Sequence, residues 1–335
     1  MNMMRIKEIQ WIILAAATLS LGACSSDSEQ PVSAQDEVEL HFSSSLELLT
    51  RAAYTKTQDT QIADGEIVYA WVDEAKSSGA VEYIQAWQLT ADGNGNFPAD
   101  KKVKKLYPVS GNPVNVYAIH GNFATTPSGT FPSSALTHNV NTDQSTDAGY
   151  AVSDLLYATG SNLARQTAAH LLTFSHLLSK IEVYLVAGTG TDDAELATAT
   201  VSILNTKPTA SVTLSKTATP SITASGTATD IAAKMQHETD VKVTIGTDGT
   251  PSPAYAFAEA VIVPQWVNST GASGGDEVDF VKITIGSSSY TAKVSKEFTG
   301  GNRYTYNVVV NKSGIELTST ITPWSDGGTE VISAK

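Results

Sequence analysis

Short runs of alternating apolar and polar residues recur along almost the whole chain. Clear examples lie at residues 181–185 and 304–310, where every second side chain is apolar. A period of two places those side chains on one face of a β-strand. Clusters of Gly, Asn, Ser and Pro separate the runs, and no long helical pattern lies between them. The sequence therefore predicts an all-β fold built from β-sandwiches.

The chain, at 335 residues, is long enough for two hydrophobic cores. We predict that two sandwiches lie in tandem and join near residues 160–168. The predicted regions are a leader at 1–23, a tether with an N-terminal strand at 24–51, an N-terminal sandwich at 52–166 and a C-terminal sandwich at 167–335.

Three stretches are less regular. Residues 170–178 fit either a short helix or a bulged strand, and residues 231–237 fit a second short helix. Residues 123–147 are rich in Thr, Ser, Pro and Asn, which predicts a long surface loop.

The first 24 residues have the organisation of an export signal. Arg5 and Lys7 precede an apolar stretch at 11–21, which is too short to span the ~30 Å of a bilayer core but typical of a secretory signal. The sequence LGAC at 21–24 resembles a bacterial lipobox, so Cys24 is a predicted lipidation site. Cys24 is the only cysteine, and it cannot form a disulfide within the chain. An ordinary signal peptide with an incidental cysteine is the alternative.

After a polar tether at 25–35, residues 38–48 alternate for eleven positions. This pattern predicts a strand with one buried face. That face consists of Val38, Leu40, Phe42, Leu46 and Leu48, with Ser44 among them. Arg51 follows directly and precedes the small residues Ala52 and Ala53, so the strand ends beside a candidate proteolytic cleavage site. The alternative is that Arg51 is an ordinary turn residue.

The charge and the motifs argue against two classes of function. A formal net charge of −13 has the wrong sign for binding nucleic acid, because that affinity depends on Lys and Arg. Residues 271–275 match G-x-S-x-G, but a nucleophile elbow needs a helix after the serine, and residues 276–283 alternate like a strand. We therefore expect no catalytic residues and no enzyme.

No metal or cofactor is predicted either. The sequence DGNGN at 92–96 resembles the start of a calcium loop, but the position that needs a bidentate Glu holds Val103. A hairpin turn accounts for these residues. The six histidines have no metal-binding spacing, and we interpret them as structural.

Taken together, these features resemble the fimbrillin family of Bacteroides-type bacteria, the subunits of type V fimbriae. The lipobox at Cys24 and the strand that ends in LTRA at 49–52 carry part of the resemblance. The other motifs that carry it are GNGNF at 93–97, LYP at 106–108, VNVYA at 114–118, LTFSHLLSKI at 172–181, FTGGNRYTY at 298–306 and ITPW at 321–324.

The resemblance implies two transthyretin-like β-sandwich domains and export as a lipoprotein to the outer membrane. It also implies that an Arg-specific surface protease cleaves the Arg51–Ala52 bond and thereby removes residues 24–51. A strand from another subunit, in this family the C-terminal region, then fills the place of the removed strand. The implied partners are other fimbrial subunits in a head-to-tail polymer and a ligand on a host or bacterial surface.

These observations lead to one main function and two alternatives. The main prediction is a structural subunit of a surface fimbria, in the stalk or as an accessory or tip subunit, that supports adhesion. One alternative is a lipid-anchored module that binds a glycan or a host protein through loops such as 123–147. The other is a fimbrial anchor subunit, which would keep its lipid and remain uncleaved at Arg51.

Overall fold

The computed structural model describes residues 37–46, 61–99, 104–191, 193–237, 256–323 and 330–333. Within these ranges the chain is almost entirely β-structure, which confirms the predicted all-β class. The strands of the first half are β1 (Phe42–Leu46), β2 (Ile67–Lys76), β3 (Gly79–Thr90), β4 (Val114–His120), β5 (Leu136–Asn139), β6 (Leu156–Leu163) and β7 (His170–His176).

The second half contains fourteen further strands in the described ranges. They are β8 (Ser179–Ala187), β9 (Thr200–Thr206), β10 (Thr209–Thr213), β11 (Ser221–Ser225), β12 (Thr229–Ala232), β13 (Lys234–His237), β14 (Ala256–Ile262), β15 (Gln265–Val267), β16 (Val278–Ile285), β17 (Ser288–Val294), β18 (Lys296–Phe298), β19 (Asn302–Asn311), β20 (Gly314–Pro323) and β21 (Glu330–Ser333).

Two short helices complete the described elements, α1 (Asp147–Ser153) and α2 (Asp193–Leu196). Thr146 caps α1, because its side chain accepts a hydrogen bond from the backbone N–H of Gly149. In the described part of the chain, neither helix has the length or apolar character needed to cross a membrane.

The first sheet has six strands in the order β1-β7-β6-β4-β2-β3. All its neighbours are antiparallel except β1 and β7, which run parallel. Trp71, Val116 and Ile119 are fully buried in the central strands. The place of β1 is unusual, because it comes first in the chain and yet pairs with β7, about 128 residues later.

The second half is built around two larger sheets. One has the order β13-β14-β8-β19-β20-β21, and the other has the order β12-β9-β16-β17. Apolar side chains such as Ile181, Phe280, Tyr306 and Val308 are buried in the core of this half. β15 and β18 form a separate two-stranded sheet. The alternation at 181–185 and 304–310 marks the parallel neighbours β8 and β19.

Strands from both halves share a third sheet. β5 pairs with β10, and β10 pairs with β11, so a first-half strand forms a sheet with two second-half strands. The side-chain amide of Gln144 adds another link, because it donates to the carbonyl of Val261 and accepts from its N–H. The described residues all belong to one compact unit, Ser33–Lys335. The division into domains at 52–166 and 167–335 stays a prediction.

The structure corrects several local predictions. Residues 231–237 form the end of β12 and the whole of β13 rather than a helix, because pairing with β9 and β14 overrides the helix propensity of Ala, Lys, Met and Gln. Residues 170–178 contain β7, so the helical alternative is wrong there. The predicted surface loop at 123–147 contains β5 and the fully buried His138.

Candidate functional site

The candidate site is the place where residues 38–46, here called the N-terminal segment, are inserted. On one side, residues 42–46 pair with residues 170–174 of β7. On the other side, the N–H of Ser44 donates to the carbonyl of Gly95 (2.7 Å) and the N–H of Leu40 donates to that of Lys105 (2.7 Å). β1 is the last strand of its sheet, but isolated bridges to residues 96 and 106 cover the other edge of the N-terminal segment. The segment therefore has backbone hydrogen bonds along both edges.

The buried face of this segment is the one that the alternation predicts. Val38, Leu40, Phe42 and Leu46 are each at most 6% exposed. The ring of Phe42 packs against Trp87, with 5.7 Å between the ring centroids. Of the other predicted site residues, Cys24, Leu48, Arg51 and Ala52 lie outside the described residues. Lipidation and cleavage at those positions stay predictions.

Ser44 interrupts the apolar face. Its residue is only 5% exposed, and its hydroxyl oxygen has no hydrogen-bond partner in the described structure. A buried hydroxyl without a partner is destabilising, since it has lost its bonds to water. The N-terminal segment is therefore held less tightly than a fully apolar strand of the same length would be.

The first wall of the site consists of residues 92–99 and 104–107. The turn at 92–96 determines its shape. Asp92 Oδ1 accepts from the N–H groups of Asn94 (2.8 Å) and Asn96 (3.0 Å), and Asp92 Oδ2 accepts from the Asn96 side chain (2.9 Å). These hydrogen bonds hold the pKa of Asp92 below its usual range. The hydrogen bond from the Asn96 side chain contributes most to this lowering. These hydrogen bonds also account for the calcium-like sequence. Across the described ranges, no group of three His, Cys, Asp or Glu residues could hold a metal.

Gly95 lets this wall approach the N-terminal segment. Its φ is +86°, and a Cβ at this position would lie 2.9 Å from the carbonyl oxygen of Ser44. Only glycine combines that conformation with such a close approach. Sequence reasoning found the turn but missed this role, because the partner strand is about fifty residues away in the chain.

The second wall is β7, and it is fastened at its first residue. The N–H of His170 donates to the carbonyl of His41 (2.9 Å), and its Nε2 lies 2.5 Å from Tyr107 Oη and 3.0 Å from the carbonyl oxygen of Ala164. Burial raises the pKa of Tyr107 to about 12 and lowers that of His170. This cluster joins β7 to residue 107, which is on the other wall.

The last residue of β7 is fastened by a buried ion pair. His176 Nδ1 lies 2.8 Å from Asp154 Oδ2, and both side chains are almost fully buried. Burial alone would raise the pKa of Asp154, but the charge and hydrogen bond of His176 outweigh it and hold that pKa below its usual range. We interpret this pair as structural, because it fixes the end of β7 to the end of α1.

The other features singled out in the sequence are a loop and a buried histidine in the described structure. Ser273 of the G-x-S-x-G match lies in a loop that leads into β16, so the predicted strand is confirmed and the helix of a nucleophile elbow is not there. His138 accepts from the N–H of Asn122 and faces the carbonyl of Ser153. Burial lowers the pKa of His138 to about 4, so the ring is neutral at pH 7.

A cleft of about 250 Å³ lies against the N-terminal segment. It is lined by residues 39–42 of that segment, 87–90 of β3 and 97–99 of the first wall. Because the segment supplies part of the lining, the shape of the cleft depends on the strand that occupies the site.

Comparison with known proteins gives consistent results. A curated relative in Bacteroides uniformis, provisionally named fimbrium subunit Fim1C, is 27% identical over 331 residues, which is 96% of this chain and 97% of that protein. A B. uniformis structure, provisionally named a cell adhesion protein, matches with a TM-score of 0.55 and 22% identity over 86% of this chain and 99% of that one. A similarly named Bacteroides ovatus structure gives a TM-score of 0.56 and 16% identity over 88% and 100%.

The two solved structures agree with this chain in fold. The family model described as fimbrillin-like matches residues 50–324, which is most of the chain. The match covers both halves of the described structure and both walls of the candidate site. The chain belongs to the fimbrillin-like family.

Proposed function

We propose that this protein is a structural subunit of a cell-surface fimbria and that it assembles by strand exchange after proteolysis. The observation that carries the proposal is the N-terminal segment, which is hydrogen-bonded on one side to residues 95, 105 and 107 and on the other side to β7. It lies at the start of the described chain, so a single cut after it would separate it from the rest of the fold.

Loss of the segment would leave an incomplete core. Its four buried apolar side chains are each worth ~1.5–3 kcal/mol, so about 6–12 kcal/mol of burial would be lost. The backbone groups of both walls would also lose their partners. A strand supplied by another subunit restores both contributions. Because the donor belongs to a neighbour, the contact is head-to-tail and produces a filament.

The trigger in this proposal is cleavage between Arg51 and Ala52 by an Arg-specific surface protease. Before cleavage, lipid on Cys24 holds the exported subunit at the outer membrane. After cleavage, residues 24–51 stay with the lipid and the rest of the subunit enters the fimbria. The place of action is therefore the cell surface, where the fimbria supports adhesion.

The C-terminal region of a neighbour is the proposed donor. Among the described residues, β21 is the outermost strand of its sheet and pairs with β20 alone, through four residues. A short edge strand with one partner detaches more easily than an inner strand. This position supports β21 as the segment that leaves its own subunit.

The substitution Arg51→Ala tests the trigger. We expect the variant to keep residues 24–51 and to remain as a monomer, whereas the wild type starts at Ala52 and polymerises. N-terminal sequencing and size analysis of protein purified from cells measure both effects. Lys56→Ala is the matched control, since it removes a nearby cation that an Arg-specific protease ignores. Lipid-bearing Cys24 throughout the assembled wild type would contradict the proposal.

A second candidate is a lipid-anchored binding module that stays uncleaved, and the cleft beside Trp87 favours it. Such a module would be a full-length monomer whose melting temperature rises with a glycan or host protein. An unchanged rise in Arg51→Ala would support this candidate, since binding would then be independent of cleavage.

A further inference from the structure

β7 depends on the N-terminal segment for most of its strand pairing. Residues 170–174 of β7 pair with residues 42–46. On its other edge, β7 pairs with β6 only through Ser175 and His176. In the described part of the chain, residues 170–174 therefore have a strand neighbour on one side only, and that neighbour is the segment itself.

The direction of the amides follows from the pleat. The N–H of His170 donates to the carbonyl of His41 (2.9 Å). Alternate N–H groups of a strand point the same way, so those of Leu172 and Phe174 also face the N-terminal segment. Removal of the segment leaves these three amides without their acceptors.

Polar side-chain contacts hold β7 at its two ends. His170 is fixed by Tyr107, and His176 is fixed by Asp154. Between them, Leu172 and Phe174 are buried, and Phe174 meets Phe97 edge-on at 6.4 Å. Phe97 lies on the first wall, and the buried faces of Leu40 and Phe42 cover the same region. The packing of central β7 therefore also weakens when the segment leaves.

We infer that residues 170–174 are a strand only while the N-terminal segment, or a strand that replaces it, occupies the site. The site that accepts the incoming strand is therefore not a preformed groove. The incoming strand and central β7 order together, with β7 tethered at His170 and His176. This inference rests on the proposed function for the identity of the replacing strand, an extended segment of a second copy that runs parallel to β7.

This coupling has a functional consequence. If β7 stayed an ordered strand after the segment left, the unpaired backbone groups along that edge would pair with any exposed strand. A β7 that orders only with a matching apolar strand presents no such edge, so the cleaved subunit is protected from unselective pairing. The cost of ordering residues 170–174 also weakens the binding of strands that fill the site poorly.

Hydrogen exchange in the uncut, full-length chain tests the inference. The double variant Leu40→Asp and Phe42→Asp displaces the N-terminal segment without cleavage. We expect exchange of the amides in 170–174 to become at least about ten-fold faster, while the amides of β2 in the same sheet change far less. Ser43→Asp together with Ser45→Asp is the matched control, because it places the same two charges on the partly exposed face of the segment. A synthetic peptide of residues 37–46 should restore protection in the double variant.

The outcomes separate this inference from the proposed function. Faster exchange in 38–46 with unchanged exchange in 170–174 means a preformed groove and overturns the inference alone. If amide exchange becomes faster by the same factor in β7 and β2, and does so in the milder Phe42→Ala variant too, the inference is also overturned, since β7 would then open only with the whole sheet. Full protection of 38–46 in the double variant means that the segment is not separable, which overturns both proposals.

Discussion

At the scale of single residues, Ser44 is the weak point of the N-terminal segment. Its buried hydroxyl has no partner in the described structure, and it faces the core between Phe42 and Leu46. In the proposed strand exchange, such a position makes it easier for the segment to leave. Every other residue of that parity among the described positions 38–46 is apolar, so the serine reduces the affinity without disturbing the register.

In the Ser44→Ala variant, the N-terminal segment should therefore be bound more tightly by the rest of the protein. Removing an unsatisfied buried hydroxyl is worth about 1–3 kcal/mol. We expect a higher melting temperature for the uncut protein and slower loss of the segment after cleavage at Arg51. Ser45→Ala is the control, because Ser45 is partly exposed and its hydroxyl has a long 3.4 Å contact with Thr173. A lower melting temperature for Ser44→Ala would contradict the interpretation.

His138 makes the fold sensitive to mild acid. Burial is the main cause that lowers its pKa from 6.5 to about 4, and the nearby His120 adds to the shift. Between pH 6.5 and 4 the unfolded chain therefore binds more protons at this residue than the folded one. Stability rises with pH across this window, and it falls by about 3 kcal/mol from pH 7 to pH 4.

His138→Gln should flatten this dependence. Glutamine keeps one donor and one acceptor but does not titrate. The free energy of unfolding, measured in urea at pH 7 and pH 4.5, should differ less in the variant than in the wild type. Stability near pH 7 falls somewhat, because the amide fits the two histidine contacts imperfectly. An unchanged pH slope would assign the acid sensitivity to other groups.

At the scale of elements, the alternation of the sequence predicted individual strands well and their partners poorly. The buried face of 38–46 and strands β8 and β19 follow directly from a period of two. The parallel pairing of β1 with β7 does not, because register across about 128 residues is set by the assembled core. The role of Gly95 was missed for the same reason. Only its place in a turn is visible locally.

A disulfide across β1 and β7 should stop strand exchange. Ser45 and Thr173 are directly paired on neighbouring strands, which lie about 4.8 Å apart, so cysteines at both positions fall within the Cα separation that a disulfide needs. In a Cys24→Ser background, oxidised S45C/T173C should be cut at Arg51 but keep the segment and fail to polymerise. A reducing agent should restore polymerisation. Polymerisation of the fully oxidised protein would contradict strand replacement at this site.

At the scale of the whole molecule, the sequence predicted two sandwiches but not the contacts between the halves. A buried pair of charges in the second half forms the base of one contact, since Lys180 lies 3.0 Å from Glu259 with both groups fully enclosed. Lys234 connects the same carboxylate to Asp147 at the start of α1. Hydropathy patterns treat such residues as surface, which is why this link was not predicted.

Gln144 offers the cleanest test of how tightly the halves act together. It is fully buried, and its amide makes two hydrogen bonds with the backbone of Val261 on β14. Gln144→Ala leaves both backbone groups without these bonds, which should cost about 1–3 kcal/mol each. If the link joins the halves into one cooperative unit, calorimetry should show one broader transition or two transitions in place of a single sharp one.

Gln88→Ala, on the exposed side of β3, should leave the transition unchanged. A lower melting temperature with an equally sharp transition would mean that cooperativity rests on the shared β5-β10-β11 sheet instead.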